Sequence, residues 1–479
     1  MASDLKNKTI SGLIWGLLRT FGARLTTFVS TIVLARLLTP DDFGCIGVLS
    51  IFIMVSMAVI EGGFASALIQ RENVTHDDES TVFFWNLFIS VVLFFGLVAF
   101  SGTIADFYRI PQLSKVISVQ SITLVIYAFG IIHNNRLICD LNFKAVAIID
   151  TIASIVSIVV AIVLAYLDYG VWALVYQQIS NSFVSVALKV VIYRWHPKLY
   201  FSFKILKSYF SYGSYLMLSN LMNNISTNLQ GVVIGKAFNV ATMGYYSQAK
   251  KLEEVPTTSI SSLVAQVLFP VMAKLQNDKE RLKSALSQMQ KAMNLLNFPL
   301  MIGLIIMAKP IIILLFSEKW IPSVPFFQIL CVAGIVNCSQ SINYQLVSAV
   351  GRSKAIFFWN IVKRVIDIAF ILIGLCFSIY GIMWGMVISM FITCIINIQV
   401  AQKSICYPLK EQILDNLPFL LYSVVSATLT YATMSYLGSE PIDLLWIIPL
   451  FSIIYCTLLF VFSTNEVRLI KRMILDYVR

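Results

Sequence analysis

The stretch SGLIWGLLRTFGARLTTFVSTIVLARLLTPDDFG, residues 11–44, is long enough to cross a bilayer and carries Arg19 and Arg24 within its apolar run. At ~1.5 Å rise per residue, the part from Ser11 to Leu38 exceeds the ~30 Å hydrocarbon core, so it reads as a membrane span and not as a helix of a soluble core. An arginine at that depth costs roughly 2.5–3.5 kcal/mol on insertion scales, so both are expected to face a polar cavity or a partner. No acid lies between Ile10 and Leu38 to neutralise them. This helix is therefore expected to form one wall of a cationic cavity that the rest of the chain encloses.

The whole chain supports that reading. Of its 479 residues 58% are hydrophobic and 12% charged, with a mean hydropathy of +0.82, far outside soluble composition. The expected fold class is all-α, a polytopic membrane protein with about fourteen transmembrane helices. The first span lacks a short apolar core followed by a small-residue cleavage site, so it is expected to stay in the mature protein. The net charge of +11 could suggest a nucleic-acid partner, but in a membrane chain the placement of basic residues is the better guide, and no nucleic acid is expected. Arg194, Lys198, Lys204 and Lys207 fall in one loop, and Lys274, Lys279, Arg281 and Lys283 in another. Both loops lie inside if the termini are cytoplasmic. The eight cysteines form no CxxC or Cys/His cluster, so neither a disulfide framework nor a metal site is expected.

An internal repeat organises the chain. ARLLTPDDFG (35–44) aligns with GKAFNVATMG (235–244), matching Arg36 with Lys236 and Gly44 with Gly244. DFYRIP (106–111) then resembles FSEKWIP (316–322), Lys144-Ala145 resembles Lys354-Ala355, and YGVWALV (169–175) resembles YGIMWGMV (380–387). Because the repeat returns after an even number of spans, corresponding helices are expected to run in the same direction, with the substrate path between two lobes. The expected organisation is an N-terminal lobe over 1–194, a cytoplasmic linker over 195–208 and a C-terminal lobe over 209–403. Residues 404–479 hold two further helices outside the two six-helix repeats.

TPDDFG has two readings. In one it starts a helix, with Thr39 as N-cap, Pro40 in the first turn, and Asp41 and Asp42 facing the positive dipole end. In the other Asp41 and Asp42 are a catalytic acidic pair, as in a membrane-embedded glycosyltransferase. The cap is preferred because it accounts for all four residues.

Polar residues at membrane depth supply the other candidates. Asn220, Asn223, Asn224, Thr227 and Asn228 share one helical face, which must meet another helix or a hydrated cavity. Amides suit sugar hydroxyls, whereas arginines suit phosphate oxygens. His133, Asn134 and Asn135 match Asn343, Tyr344 and Gln345 across the repeat, and Gln177, Gln178 and Asn181 add polarity elsewhere; each is either a path residue or glue between helices. Lys250, Lys251, Glu253 and Glu254 sum to zero and are expected to pair among themselves. Lys363, Arg364 and Asp367 sum to +1, so one cation is left over near mid-membrane. Glu61 and Asp150 are lone acids, each a partner for an arginine or a protonatable coupling group.

RLLTPDDFG (36–44), EGGFASALIQRE (61–72), ADFYRIPQL (105–113), DYGVWALV (168–175), GYYSQAKKLEEVPTTSISSLVAQVLFPVMAKLQND (244–278) and LFSEKW (315–320), in that order, resemble the polysaccharide transporter family of Wzx-type flippases. The resemblance implies the multidrug/oligosaccharidyl-lipid/polysaccharide exporter fold, with two six-helix lobes in the bacterial cytoplasmic membrane. It also implies translocation of undecaprenyl-pyrophosphate-linked oligosaccharide, no enzymatic activity and no cofactor. The implied partners are the lipid-linked oligosaccharide and the bilayer, with the pathway's polysaccharide polymerase and glycosyltransferases as further candidates. The family offers no fixed catalytic motif, so site residues rest on the chain itself. These are Arg19, Arg24, Lys363 and Arg364 for pyrophosphate, Asn220, Asn223, Asn224 and Asn228 for sugar, and Glu61 and Asp150 for coupling. Two competing classes are a cation-coupled drug exporter of the same superfamily, which should favour acids over arginines, and a glycosyltransferase or ligase, which needs a larger external segment than Lys309 to Ser323.

Overall fold

The computed structural model describes residues 22, 26–64, 67–68, 71, 74–275, 278–350, 353–402, 405, 407–437 and 441–462. Arg19 and Arg24 lie outside them, as do residues 11–21 and 23–25 of the first span. The described residues are all-helical, and nine helices among them are long and apolar enough to cross a membrane. Helices satisfy their own backbone groups, which hydrocarbon cannot do. The protein is a multi-pass membrane protein.

The chain divides into two compact units, Met1–Ser247 and Gln248–Arg479. In the first, α1 (Thr26–Leu37) and α2 (Pro40–Glu61) are followed by α3 (His76–Tyr108), α4 (Pro111–Gln120), α5 (Ile122–Cys139), α6 (Phe143–Tyr166), α7 (Val171–Ile192) and α8 (Phe203–Ala237). Helix α9 (Val240–Leu275) begins in the first unit and continues into the second. The second unit adds α10 (Lys279–Ile306), α11 (Ala308–Phe316), α12 (Val324–Ala349), α13 (Ser353–Leu375), α14 (Ile379–Gln402), α15 (Leu409–Leu437) and α16 (Leu444–Phe462). Helices α8, α9 and α13, of 35, 36 and 23 residues, are not among the nine.

The cap reading of TPDDFG holds. Thr39 accepts from the Asp42 amide, Asp42 Oδ2 accepts from the Thr39 amide at 2.9 Å, and Pro40 sits in the first turn. At the matching point of the repeat, Asn239 Oδ1 accepts from the Thr242 amide at 2.8 Å and caps α9. The two capped ends meet reciprocally. A Cβ on Gly44 would lie 1.9 Å from the Val240 carbonyl oxygen, and one on Gly244 would lie 1.9 Å from that of Pro40. Glycine is required at both positions because two helix backbones touch there. The same device recurs where α2 ends: Gly63, at φ 70°, would drive a Cβ to 2.2 Å from the Gly213 carbonyl oxygen of α8.

The division at Ser247/Gln248 falls C-terminal to the expected linker at 195–208, because α8 packs along α2 within the first unit. The start of that expected linker is anchored. Trp195 is buried in a cluster with Phe64, Phe83, Ile132 and Tyr209, and its carbonyl lies 3.2 Å from His133 Nε2.

Candidate functional site

Two groups of the expected site residues are described, one in each unit. In the first unit, Asn220 is exposed on α8, and Asn224 and Asn228 are half-buried one and two turns further on. The side chain of Asn223 lies outside the described residues. Asn228 Nδ2 donates to the Asn224 carbonyl at 2.9 Å and lies 3.7 Å from Met54 Sδ of α2. On the same helix Leu218, Met222 and Ile225 are also exposed. At about 100° per residue they occupy the side opposite the amides, so α8 is open on two faces, one apolar and one amide-bearing. A lipid-facing helix needs only the first. Glu61, at the end of α2, accepts a hydrogen bond from the Tyr127 hydroxyl of α5, and Asp150 is half-buried in α6.

In the second unit, Arg364 pairs with Asp367 one turn along α13 at 3.5 Å. Asp367 also accepts from the Ser389 hydroxyl of α14. Lys363 takes different partners: it donates to Asn397 Oδ1 at 2.8 Å and lies 5.7 Å from the centre of the Tyr344 ring. An amide oxygen and an aromatic face hold an ammonium in place without cancelling its charge. The group therefore keeps one net positive charge among α12, α13 and α14.

Other expected polar positions serve as glue. Gln177 donates to Ser30 at 2.8 Å, Gln120 to Gln178 at 2.9 Å, and Asn181 to Ser157 at 3.4 Å. Lys250 and Glu254 pair at 3.8 Å, whereas Glu253 is buried and accepts from Thr257.

Two arrangements were missed in the sequence. Asn294 of α10 donates to Asn416 of α15 at 2.9 Å and to Ser339 of α12 at 3.0 Å. Beside it Gln412 Oε1 accepts from Gln290 at 3.3 Å and from Asn343 at 3.1 Å, and Lys291 pairs with Asp415 at 3.1 Å. The spacing of Gln290, Asn294 and Asn297 at i, i+4 and i+7 was the available signal. The second arrangement is a cavity of ≈ 570 Å³ beside the start of α3 and the end of α5, where Arg136 pairs with Glu79 and Arg71 also lines the wall. Its lining residues are scattered from 68 to 143, so no local pattern could have shown it.

The model of the polysaccharide biosynthesis protein family matches residues 33–325, more than half of the chain. The chain belongs to this family. Among relatives of this polysaccharide biosynthesis protein, the lipopolysaccharide biosynthesis protein WzxC of Escherichia coli is 26% identical over 377 residues, covering 78% of this chain and 76% of its own. The succinoglycan biosynthesis transport protein ExoT of Rhizobium meliloti is 28% identical over 403 residues, covering 83% of this chain and 79% of its own. Among solved structures, the lipid II flippase MurJ in an inward closed conformation shares the fold. It matches with a TM-score of 0.79 at 16% identity, over 95% of this chain and 100% of that one.

Proposed function

We propose that this family member is a flippase that carries undecaprenyl-pyrophosphate-linked oligosaccharide repeat units across the bacterial cytoplasmic membrane by alternating access, with both termini cytoplasmic. The observation that carries the reading is the setting of Lys363, a cation held by Asn397 and the Tyr344 ring while Asp367 is committed to Arg364 and Ser389. Such a group can attract a pyrophosphate and, its hydrogen bond being to a neutral amide oxygen, exchange that partner for phosphate oxygen at small cost. Arg364 supplies a fork for bidentate contact once freed from Asp367, and Arg19 and Arg24 are the further pyrophosphate ligands of this reading. The amide face of α8, exposed at Asn220, suits sugar hydroxyls. A polyprenyl tail needs no polar path because it stays in lipid. Glu61, held by Tyr127, and Asp150 are the proposed coupling acids.

The names of the relatives point the same way, to lipopolysaccharide, to succinoglycan transport and to lipid II flipping. The reading includes about fourteen spans as two six-helix repeats with a C-terminal pair, supported by the matched caps at Thr39 and Asn239 and the reciprocal glycines. A drug exporter that collects cations is disfavoured, since a standing positive charge repels its cargo.

The test is complementation of a flippase-deficient strain, scored as surface polysaccharide with protein level measured for each variant. Lys363→Ala is expected to cut transport about tenfold at normal abundance, since one lost charge-assisted bond of ~1.5 kcal/mol corresponds to that factor and no acid is stranded. Arg364→Ala strands Asp367 and should lower abundance, which Arg364→Ala/Asp367→Asn should restore. Full activity of Lys363→Ala/Arg24→Ala at normal abundance would overturn the assignment.

A further inference from the structure

The cavity of the first unit, beside the start of α3 and the end of α5, has no part in the reading above, and its chemistry is that of an amphiphile site. Arg136 pairs with Glu79 through Nη2, but its buried Nε–H has no acceptor among the described residues. Arg71 donates to Ser208 Oγ at 3.3 Å and stacks over the Tyr209 ring at 4.8 Å, and among the described residues no carboxylate lies within 4.0 Å of it. Both guanidiniums line the cavity with donor capacity left over. The carboxylates of Glu79 and Asp140 also belong to the lining, so the charges sum to about zero and a freely diffusing anion gains little long-range attraction. What the cavity offers is short-range donors beside apolar surface, from Ile132, Leu141 and Phe143. Leu141 is itself 42% exposed.

We propose that this cavity seats the head group of an acidic phospholipid from the adjoining leaflet. The phosphodiester accepts from Arg71 and from Arg136 Nε, and the glycerol and first acyl carbons lie on Leu141 and Phe143. Basic side chains in pockets between transmembrane helices are recurrent partners of such head groups. Lys204 and Lys207 lie just before Ser208, the residue that Arg71 meets, whereas Lys198 is paired with Asp77 at 3.8 Å. The inference does not rest on what the protein transports.

Cys139 lines the cavity and is exposed, which provides a native reporter. The full-length protein in nanodiscs of zwitterionic lipid would be titrated with phosphatidylglycerol, and N-ethylmaleimide labelling of Cys139 followed by mass spectrometry, with exposed Cys376 as internal reference. Labelling of Cys139 is expected to slow at least fivefold, the factor corresponding to ~1 kcal/mol per basic residue. Arg71→Gln should remove that protection, and Lys204→Gln, outside the cavity, should keep it. Equal protection in Arg71→Gln and the unaltered protein would overturn the proposal, as would no protection at all. Inorganic pyrophosphate protecting as well as the lipid would reassign the cavity to a free anion. Polyprenyl pyrophosphate protecting at a lower mole fraction than phosphatidylglycerol would reassign it to a polyprenyl-linked head group. Either result overturns the phospholipid assignment.

Discussion

Two helices of this protein carry a line of amide side chains along one face and use them in opposite ways. On α8, Asn220 is exposed, Asn224 and Asn228 are half-buried, and Asn228 donates to the backbone of its own helix. On α10, Gln290, Asn294 and Asn297 are buried, and they donate to Gln412 of α15, to Asn416 of α15, and to the Gly334 and Ile335 carbonyls of α12 respectively. An amide satisfied by a neighbouring helix contributes to the fold. An exposed one, as at Asn220, is open to a ligand. The pattern of asparagines announces only that a helix face is not for lipid, and burial decides which of the two uses it has.

The contrast is broken or sharpened by labelling first, where the expected effect is largest. Cysteines at Asn220 and Asn228 should react with a water-soluble maleimide on the order of a hundredfold faster than one at Asn294, because the buried site reacts only through local opening. Similar rates would erase the distinction. Transport comes next: Asn220→Ala/Asn224→Ala should lower complementation severalfold at normal protein level, two lost bonds of ~0.5–1.5 kcal/mol each being enough. A fall in abundance in proportion to activity would instead give these amides a packing role. Stability is the third measure. Asn294→Leu strands Asn416 and Ser339 and should cost roughly 1–3 kcal/mol in detergent unfolding, with transport per molecule unchanged. The smallest effect is expected at Asn297, which donates only to carbonyls of an existing helix, so Asn297→Leu should cost about half as much. An equal or larger loss there would mean that the contacts of α10 with α12, not those with α15, dominate this packing.

The same division separates other residues. Thr39, Pro40 and Asp42 could be read as a cap because every participant lies within one turn. One surplus cation could be read by adding Lys363, Arg364 and Asp367, but that Asp367 pairs with Arg364 while Lys363 turns to Asn397 and Tyr344 of other helices came only from the structure. The tie of Glu61 to Tyr127 and that of Arg136 to Glu79 were likewise hidden, each joining residues far apart in the chain.

The sequence by itself determined the class of molecule, a multi-pass helical membrane protein, because hydropathy and helix length are properties of contiguous residues and hydrocarbon leaves the backbone few alternatives. It also showed the internal match of residues 35–44 with 235–244, whereas the need for glycine at 44 and 244 came from the contact of two helix backbones. Only the tertiary structure decided which amides are satisfied and which are open, which acid each cation meets, and that a cavity lies beside α3 and α5. Those outcomes depend on pairs of surfaces brought together from distant parts of the chain, and a helix seen alone carries no record of what will cover it.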